Sequence, residues 1–231
     1  MTGIICAMDI EARRLLANMR HIQIKTISGI TFHCGQLCGH SVVVGICGMG
    51  KVFAAVCAQT LALLYAPQRV INSGVAGGIS DTLRVGDIVV ADRLAQHDFD
   101  VTALSGPLGK VPGLEDVFLN CDPGIAKRLL ESAADIKPAN AVLGAIASGD
   151  QFINSDARRA LIRDTFQAIA CDMEGAAIAQ VCFINQIPFG VIRAVSDSGD
   201  DDSGMEFHEF CLRAANNSTT VLMRYLSTLD D

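Results

Sequence analysis

PFGVIRAVSD, residues 188–197, is the stretch from which the rest of the chain can be read. Phe189–Val195 is apolar apart from one embedded arginine, Arg193, and it stops at Ser196-Asp197 before the polar run 198–204. A short apolar run bounded by turn residues is the pattern of a buried strand. In open α/β sheets, ligands sit in the crevice beyond the carboxyl ends of strands. A carboxylate at such an end, followed by a polar loop, is placed for site chemistry. The same aspartate would equally cap the next helix or begin a turn. Local sequence leaves both open for Asp197.

The pattern recurs along the chain. Gly3–Cys6 reads as a short buried strand, followed by Asp9 and then Glu11 in the first turn of a helix whose apolar side carries Leu15, Leu16 and Met19. A favourable charge near a helix N-terminus is enough to explain Glu11 by itself. Val142–Ser148 is a strand ending in Gly149-Asp150-Gln151-Phe152-Ile153, and a helix over 154–165 follows, capped by Ser155 or Asp156. Gln167–Cys171 is a strand ending in Asp172-Met173-Glu174-Gly175, which opens a helix over Ala176–Phe183. Strands that repeatedly end in carboxylates and alternate with helices imply an α/β fold, with one sheet flanked by helices. Their strand-end carboxylates, Asp150 among them, are expected to converge in one cleft.

The segments between these strands fill in the architecture. Ile24–Ile27 and Ile30–Gly35 flank a Ser28-Gly29 hairpin turn, and Ser41–Cys47 completes a meander. Gly48-Met49-Gly50-Lys51 leads into a helix over Val52–Tyr65, but lacks the spacing and the Ser/Thr of a phosphate loop. Arg69–Ser73 is predicted to break into a turn at Gly74-Val75-Ala76-Gly77-Gly78, whose backbone amides, Gly77 included, would lie against something small. The pattern is not GxGxxG and the next strand, Gly86–Ala91, follows without a helix, so a dinucleotide fold is the weaker reading. His97, in His97-Asp98-Phe99-Asp100, is expected to hydrogen-bond locally. Residues 103–121 read as a long loop. Helices are predicted over Asp122–Ala134, with Pro123 in the first turn, and over Phe207–Leu229.

Composition narrows the function classes. The chain has 231 residues, half of them hydrophobic, which suits one domain spanning residues 1–231. A net charge of −7 without a basic cluster speaks against nucleic acid and anionic membrane as partners. The nine cysteines form no CxxC and no zinc spacing, so they are expected to be reduced core residues in a cytoplasmic protein with no metal. The first residues do not read as a secretory signal, and no apolar run has membrane-spanning length.

The stretches GIICAMDIE, GMGK, INSGVAGGI followed by VGDIVVAD, HDFDVTA, SGDQFI, DMEGAAIAQV and VIRAVSD, in this order from residue 3 to about 210, resemble the bacterial 5′-methylthioadenosine/S-adenosylhomocysteine nucleosidases of the nucleoside phosphorylase superfamily. The resemblance implies a three-layer α/β/α domain with a central, mixed, strongly twisted sheet. It implies hydrolysis of a purine N-glycosidic bond through an oxocarbenium-like transition state, which needs an acid at the leaving group and a base at a water, as in inverting glycoside hydrolysis. By similarity, Asp197 is the acid that protonates adenine N7 and Glu11 is the base. Glu174 accepts hydrogen bonds from the ribose hydroxyls, with Met173 against the sugar. Phe152 stacks on adenine and the Ile153 backbone reads its edge. Arg193 and Ser196 support Asp197 and its polar neighbours. Met8, Met49, Val101, Pro112 and Phe207 fit the 5′-thioalkyl pocket. A homodimer acting on a small-molecule nucleoside is implied, with no cofactor.

The chain departs from the family pattern at several positions. Cys6 stands where glycine is usual, and Ile10 replaces one of a run of acidic residues. Val75 stands where a serine is typical, and Asn72 where the phosphorylases carry a phosphate-binding arginine; both favour hydrolysis over phosphorolysis. Leu104 and Gly106 stand where the thioalkyl pocket commonly has aromatic residues, which leaves the preferred 5′ group open. A phosphate-dependent phosphorylase, a nucleosidase for another 6-aminopurine nucleoside such as aminodeoxyfutalosine, and a catalytically silent nucleoside-binding protein remain the alternatives.

Overall fold

A computed structural model describes residues 1–134, 136, 139–197 and 204–229, with the side chains of 197 and 204–208 excepted. The strands are β1 (Thr2–Cys6), β2 (Arg20–Ile27), β3 (Ile30–Leu37), β4 (His40–Ile46), β5 (Arg69–Gly78), β6 (Ile88–Gln96), β7 (Leu119–Asn120), β8 (Ala141–Ser148), β9 (Ala168–Asp172) and β10 (Phe189–Asp197). The helices are α1 (Asp9–Asn18), α2 (Lys51–Tyr65), α3 (Pro123–Ala133), α4 (Asp156–Phe166), α5 (Gly175–Ile184) and α6 (Gly204–Ser227). No helix among the described residues is long and apolar enough to cross a membrane.

All the strands join one mixed, ten-stranded sheet in the order β10-β6-β8-β9-β5-β1-β4-β3-β2, with β7 paired to β6. β5 also pairs with β10, so β5, β10, β6, β8 and β9 close into a ring, and β1 and the antiparallel meander β4-β3-β2 extend from it. Successive side chains of a strand point to opposite faces, and here both faces are covered. Ile5, Val89, Val191 and Val195 pack with α2 and α5, while Ile4, Val90, Ile192 and Ala194 pack with α1, α3 and α6. That two-sided burial is why β10 reads as a continuous apolar run. α3 starts at Pro123 after Asp122, whose carboxylate accepts from the Ile125 N–H at 2.9 Å.

The glycine run differs from expectation. Gly74–Gly78 does not turn; β5 continues through it, with β10 beside Gly74–Gly77 and β9 antiparallel to Gly77-Gly78. Gly74 serves close approach instead. A Cβ on Gly74 would collide with the Glu11 carboxylate and the Arg193 guanidinium, so this part of the strand is bare where charged groups press against it.

Gly190 plays the corresponding packing role on β10. A Cβ there would sit 2.5 Å from Ile125 Cγ2 and 3.1 Å from Leu129 Cδ1, both on α3. Overfilling such a contact costs about 1–3 kcal/mol. Gly190→Ala is therefore expected to lower the free energy of unfolding by that amount, read as a lower urea midpoint at unchanged m value. A variant as stable as the parent would show that α3 yields without cost.

Candidate active site

A cavity of about 190 Å³ opens at the carboxyl ends of β1, β5, β9 and β10. Ala7, Met8 and Glu11 line it from the β1–α1 corner, and Val75, Ala76 and Gly77 from the glycine strand. Gln151, Phe152 and Ile153 contribute from the loop between β8 and α4. Cys171, Asp172, Met173 and Glu174 come from the end of β9, joined by Met49 and Ser196.

Glu11 is the third residue of α1, and its Oε2 accepts from the N–H groups of Ala7 at 2.8 Å and Met8 at 3.0 Å. The Met8 contact is the acidic half of a capping box. Its Oε1 reaches across the sheet to the N–H of Val75 at 2.9 Å, over the bare Cα of Gly74. The carboxylate is buried, and burial raises its pKa; Arg193 and the three N–H donors pull the other way without cancelling the effect. A buried carboxylate pinned by backbone donors with its face to a cavity is a fixed proton acceptor.

Behind the cavity, Arg193 on β10 is buried among Asp172, Asn72 and Glu174. Its Nε and Nη2 both donate to Asp172 Oδ2, at 2.8 and 2.5 Å, and Nη2 also donates to Asn72 Oδ1 at 2.5 Å. Asn72 in turn donates to the Ile5 carbonyl at 2.9 Å, tying β5 to β1. Asp172 also accepts from Ser148 Oγ at 2.5 Å and from the Gly175 N–H. Glu174 Oε2 lies 3.9 Å from Arg193 Nη2, while Oε1 accepts from the Gly50 N–H at 2.9 Å. With Glu11, whose charge also acts on it, one guanidinium faces three carboxylates. Burial, followed by the charge of Asp172, pushes the Glu174 carboxyl up to about 7.

Of the residues expected at the site, Met8, Glu11, Met49, Gly77, Phe152, Ile153, Met173, Glu174 and Ser196 line the cavity. Arg193 stands behind it, and its described partners are Asp172, Asn72 and Glu174. Val101 does not line it: the segment folds into a short 3-10 turn, Thr102–Leu104, and the Val101 carbonyl accepts from the N–H groups of Leu104 and Gly106. The backbone of β10 ends at Asp197 opposite Gly77, but the side chains of Asp197 and Phe207 and the polar run at 198–203 lie outside the described residues.

Asp9 and Asp150 do not join the cleft. Asp9 is exposed, and Asp150 instead accepts from the Lys51 N–H at 2.8 Å, capping α2 from another loop. His97 does not hydrogen-bond locally. It is buried against Gly149, and neither ring nitrogen has a partner among the described residues. Burial pushes its pKa down, which favours the neutral ring. Asp172, one of the strand-end carboxylates expected in the cleft, does line it, whereas the Val75 amide and the hold of Asn72 on Arg193 come only from the folded chain. An amide donor leaves no trace in residue type, whereas Asp172 carried a signal as a carboxylate at a strand end.

The chain matches the phosphorylase superfamily over residues 2–227. It is 40% identical over 228 residues to a 5′-methylthioadenosine/S-adenosylhomocysteine nucleosidase of Shewanella loihica, covering 98% of this chain and 99% of the relative. Among solved structures, the nucleosidase of that name from Neisseria meningitidis, in complex with methylthio-immucillin-A, superposes with a TM-score of 0.94 at 36% identity and 99% coverage of both chains. The Colwellia psychrerythraea nucleosidase in complex with adenine gives 0.92 at 35% identity, covering 97% of this chain and 93% of that one.

The position of Glu174 sets a pH dependence. Its folded pKa of about 7 lies above the ordinary value of 4.5, so the folded state holds this proton more tightly than the unfolded chain. The contribution is complete below about pH 4.5 and is lost as pH rises through about 7. Glu174→Gln should therefore be more stable than the parent above pH 7, by on the order of a few kcal/mol, with the gap closing toward pH 4.5. Urea unfolding of both proteins at pH 5 and pH 8 measures it; a pH-independent difference would contradict the charge cluster.

Proposed function

The chain belongs to the 5′-methylthioadenosine/S-adenosylhomocysteine nucleosidases of the phosphorylase superfamily, and from that premise we propose how its residues carry out the reaction. The protein is an N-ribosyl hydrolase that cleaves the N-glycosidic bond of these 5′-substituted adenosines and releases adenine. Glu11 takes a proton from water as the water attacks the anomeric carbon. Asp197 donates a proton to adenine N7, so that the base leaves neutral. Glu174 holds the ribose hydroxyls, with Met173 against the sugar, while Phe152 and Ile153 receive the purine.

One observation carries the mechanism: the buried Glu11 carboxylate, held by three backbone N–H groups from two elements and facing the cavity. Preorganised donors fix its geometry without reorganisation during the reaction. Its raised pKa makes it a better proton acceptor than an ordinary carboxylate. Asn72, engaged by Arg193 and the Ile5 carbonyl, offers no cation for phosphate, which supports water as the nucleophile. A homodimer and a cytoplasmic location complete the proposal. Val52, Phe53 and Leu63 on α2 are exposed, as are Phe183 and Ile184 on α5, the helix that packs beside it, and Met49 just before α2. An apolar face of this kind fits a second copy of the chain. The nine cysteines, scattered and without CxxC spacing, fit a reducing compartment.

Glu11→Gln and Asp197→Asn keep shape but cannot move the proton. Each should lower kcat by about 10²–10⁴-fold while the folded protein still binds adenine. The two losses should be non-additive, because both groups serve one transition state. Adenine release from methylthioadenosine, with and without phosphate, is the assay. Near-normal turnover in either variant would return that carboxylate to a capping role, and a phosphate requirement would favour a phosphorylase. Adenosine-type substrates should also exceed inosine-type ones in kcat/KM, because a 6-oxo group would leave a buried partner unpaired. Sedimentation should give about twice the chain mass.

A further inference from the structure

Two motifs, Gly48-Met49-Gly50-Lys51 and His97-Asp98-Phe99-Asp100, supply no group to the proposed chemistry beyond Met49 and the Gly50 amide. They meet in space. Lys51 Nζ donates to Asp98 Oδ1 at 2.6 Å and to Gln96 Oε1 at 3.0 Å, so its charge faces a carboxylate rather than a phosphate. Asp98 Oδ2 accepts from the Asp150 N–H at 2.8 Å. Asp150 Oδ1 accepts from the Lys51 N–H at 2.8 Å. The three residues close a ring that joins the start of α2, the end of β6 and the loop after β8.

Both ends of the ring lead into the cavity. The residue before Lys51 is Gly50, whose N–H donates to Glu174 Oε1 at 2.9 Å. The residue after Asp150 is Gln151, the first of the three loop residues that line the cavity. The side chains of Lys51 and Asp98 are only 18% and 13% exposed, so water weakens their attraction less than it would at a surface. Gln96 anchors the same lysine and donates to Gln180 of α5 at 2.6 Å.

We infer that Lys51 and Asp98 are positioning residues for the nucleosidase reaction: the ring they form with Asp150 locks the turn that holds Glu174 to the loop that receives the purine. The inference rests on the functional assignment above. Lys51 and Asp98 touch no substrate. They set the distance between the sugar side and the base side of one bound nucleoside.

The ring also reaches the charge state of Glu174. That carboxylate is faced by Asp172 at the end of β9, Arg193 on β10, Glu11 on α1 and the Gly50 N–H at the start of α2. Only the Gly50 donor depends on the ring. Loosening it removes a hydrogen bond to the ionised form, so Glu174 should hold its proton to higher pH. A tie that served stability alone would not move the pH profile.

The test compares Lys51→Met, Lys51→Arg and Asp98→Asn with the parent, using Gly190→Ala as a destabilised control remote from the cavity. Adenine release from methylthioadenosine is followed from pH 5 to 9, and amide hydrogen exchange is followed over residues 48–53 and 149–154. Lys51→Met should lose about 10- to 10²-fold in kcat/KM, the scale of a small misplacement of reacting groups. Its acid limb should move up by about 0.5 pH unit. Exchange should quicken in both segments together. Lys51→Arg, which keeps the cation, should recover part of each effect, and Gly190→Ala should show none of them. A folded Lys51→Met with the parent's acid limb, kcat/KM and exchange overturns the inference, and Asp98→Asn decides by the same criteria if Lys51→Met fails to fold. A parent that releases no adenine refutes the assigned function instead, and exchange in the two segments then still tests the ring.

Discussion

Arg193 is a buried cation facing carboxylates on three different elements, and the architecture of the cleft depends on that arrangement. It holds Asp172 at the end of β9, is held by Asn72 of β5, and lies within ion-pair distance of Glu174. Removing one partner of such a buried pair leaves an uncompensated charge, which typically costs several kcal/mol. With three carboxylates around one guanidinium, the excess negative charge adds to burial in raising Glu174. The same contacts that order the strand ends thus leave a carboxyl whose pKa lies near neutrality.

The second constraint is the bareness of β5. Glu11 can reach the Val75 amide because Gly74 presents no side chain between β1 and the guanidinium. Closure of the ring of strands brings β9 and β10 to the same segment of β5. The ends of β9 and β1 therefore flank β5 from opposite sides. Backbone amides do much of the holding, since Glu11, Glu174 and Asp150 all accept from main-chain N–H groups. Donors of this kind are fixed in place by the fold and do not reorganise.

The α2 terminus shows how local and distant structure divide the work. Gly50 offers no side chain as a cap, so the free N–H groups at the start of α2 are met by Glu174 and Asp150 from two other loops. A helix start that borrows its caps in this way positions the lenders. Asp150, which sequence pattern grouped with the cleft carboxylates, belongs to this scaffold and not to the cleft.

Much of the molecule was legible in the residues alone. The apolar runs of β1, β8, β9 and β10, each ending in a carboxylate, carried the α/β class and brought Glu11 and Glu174 to notice, because burial on both faces and strand-end punctuation are local patterns. The ordered motifs carried the family. Residue type could not show that Gly74–Gly78 runs on as strand, that the Val101 carbonyl closes a 3-10 turn, or that neither ring nitrogen of His97 has a partner among the described residues. Nor could it show that Lys51 meets Asp98. Each of these depends on which distant backbone or side-chain group lies within about 3 Å, a hydrogen-bonding distance that only the folded chain sets. Local chemistry determined which residues could act; closure of the strand ring decided which carboxylates face the cavity and which hold it in shape.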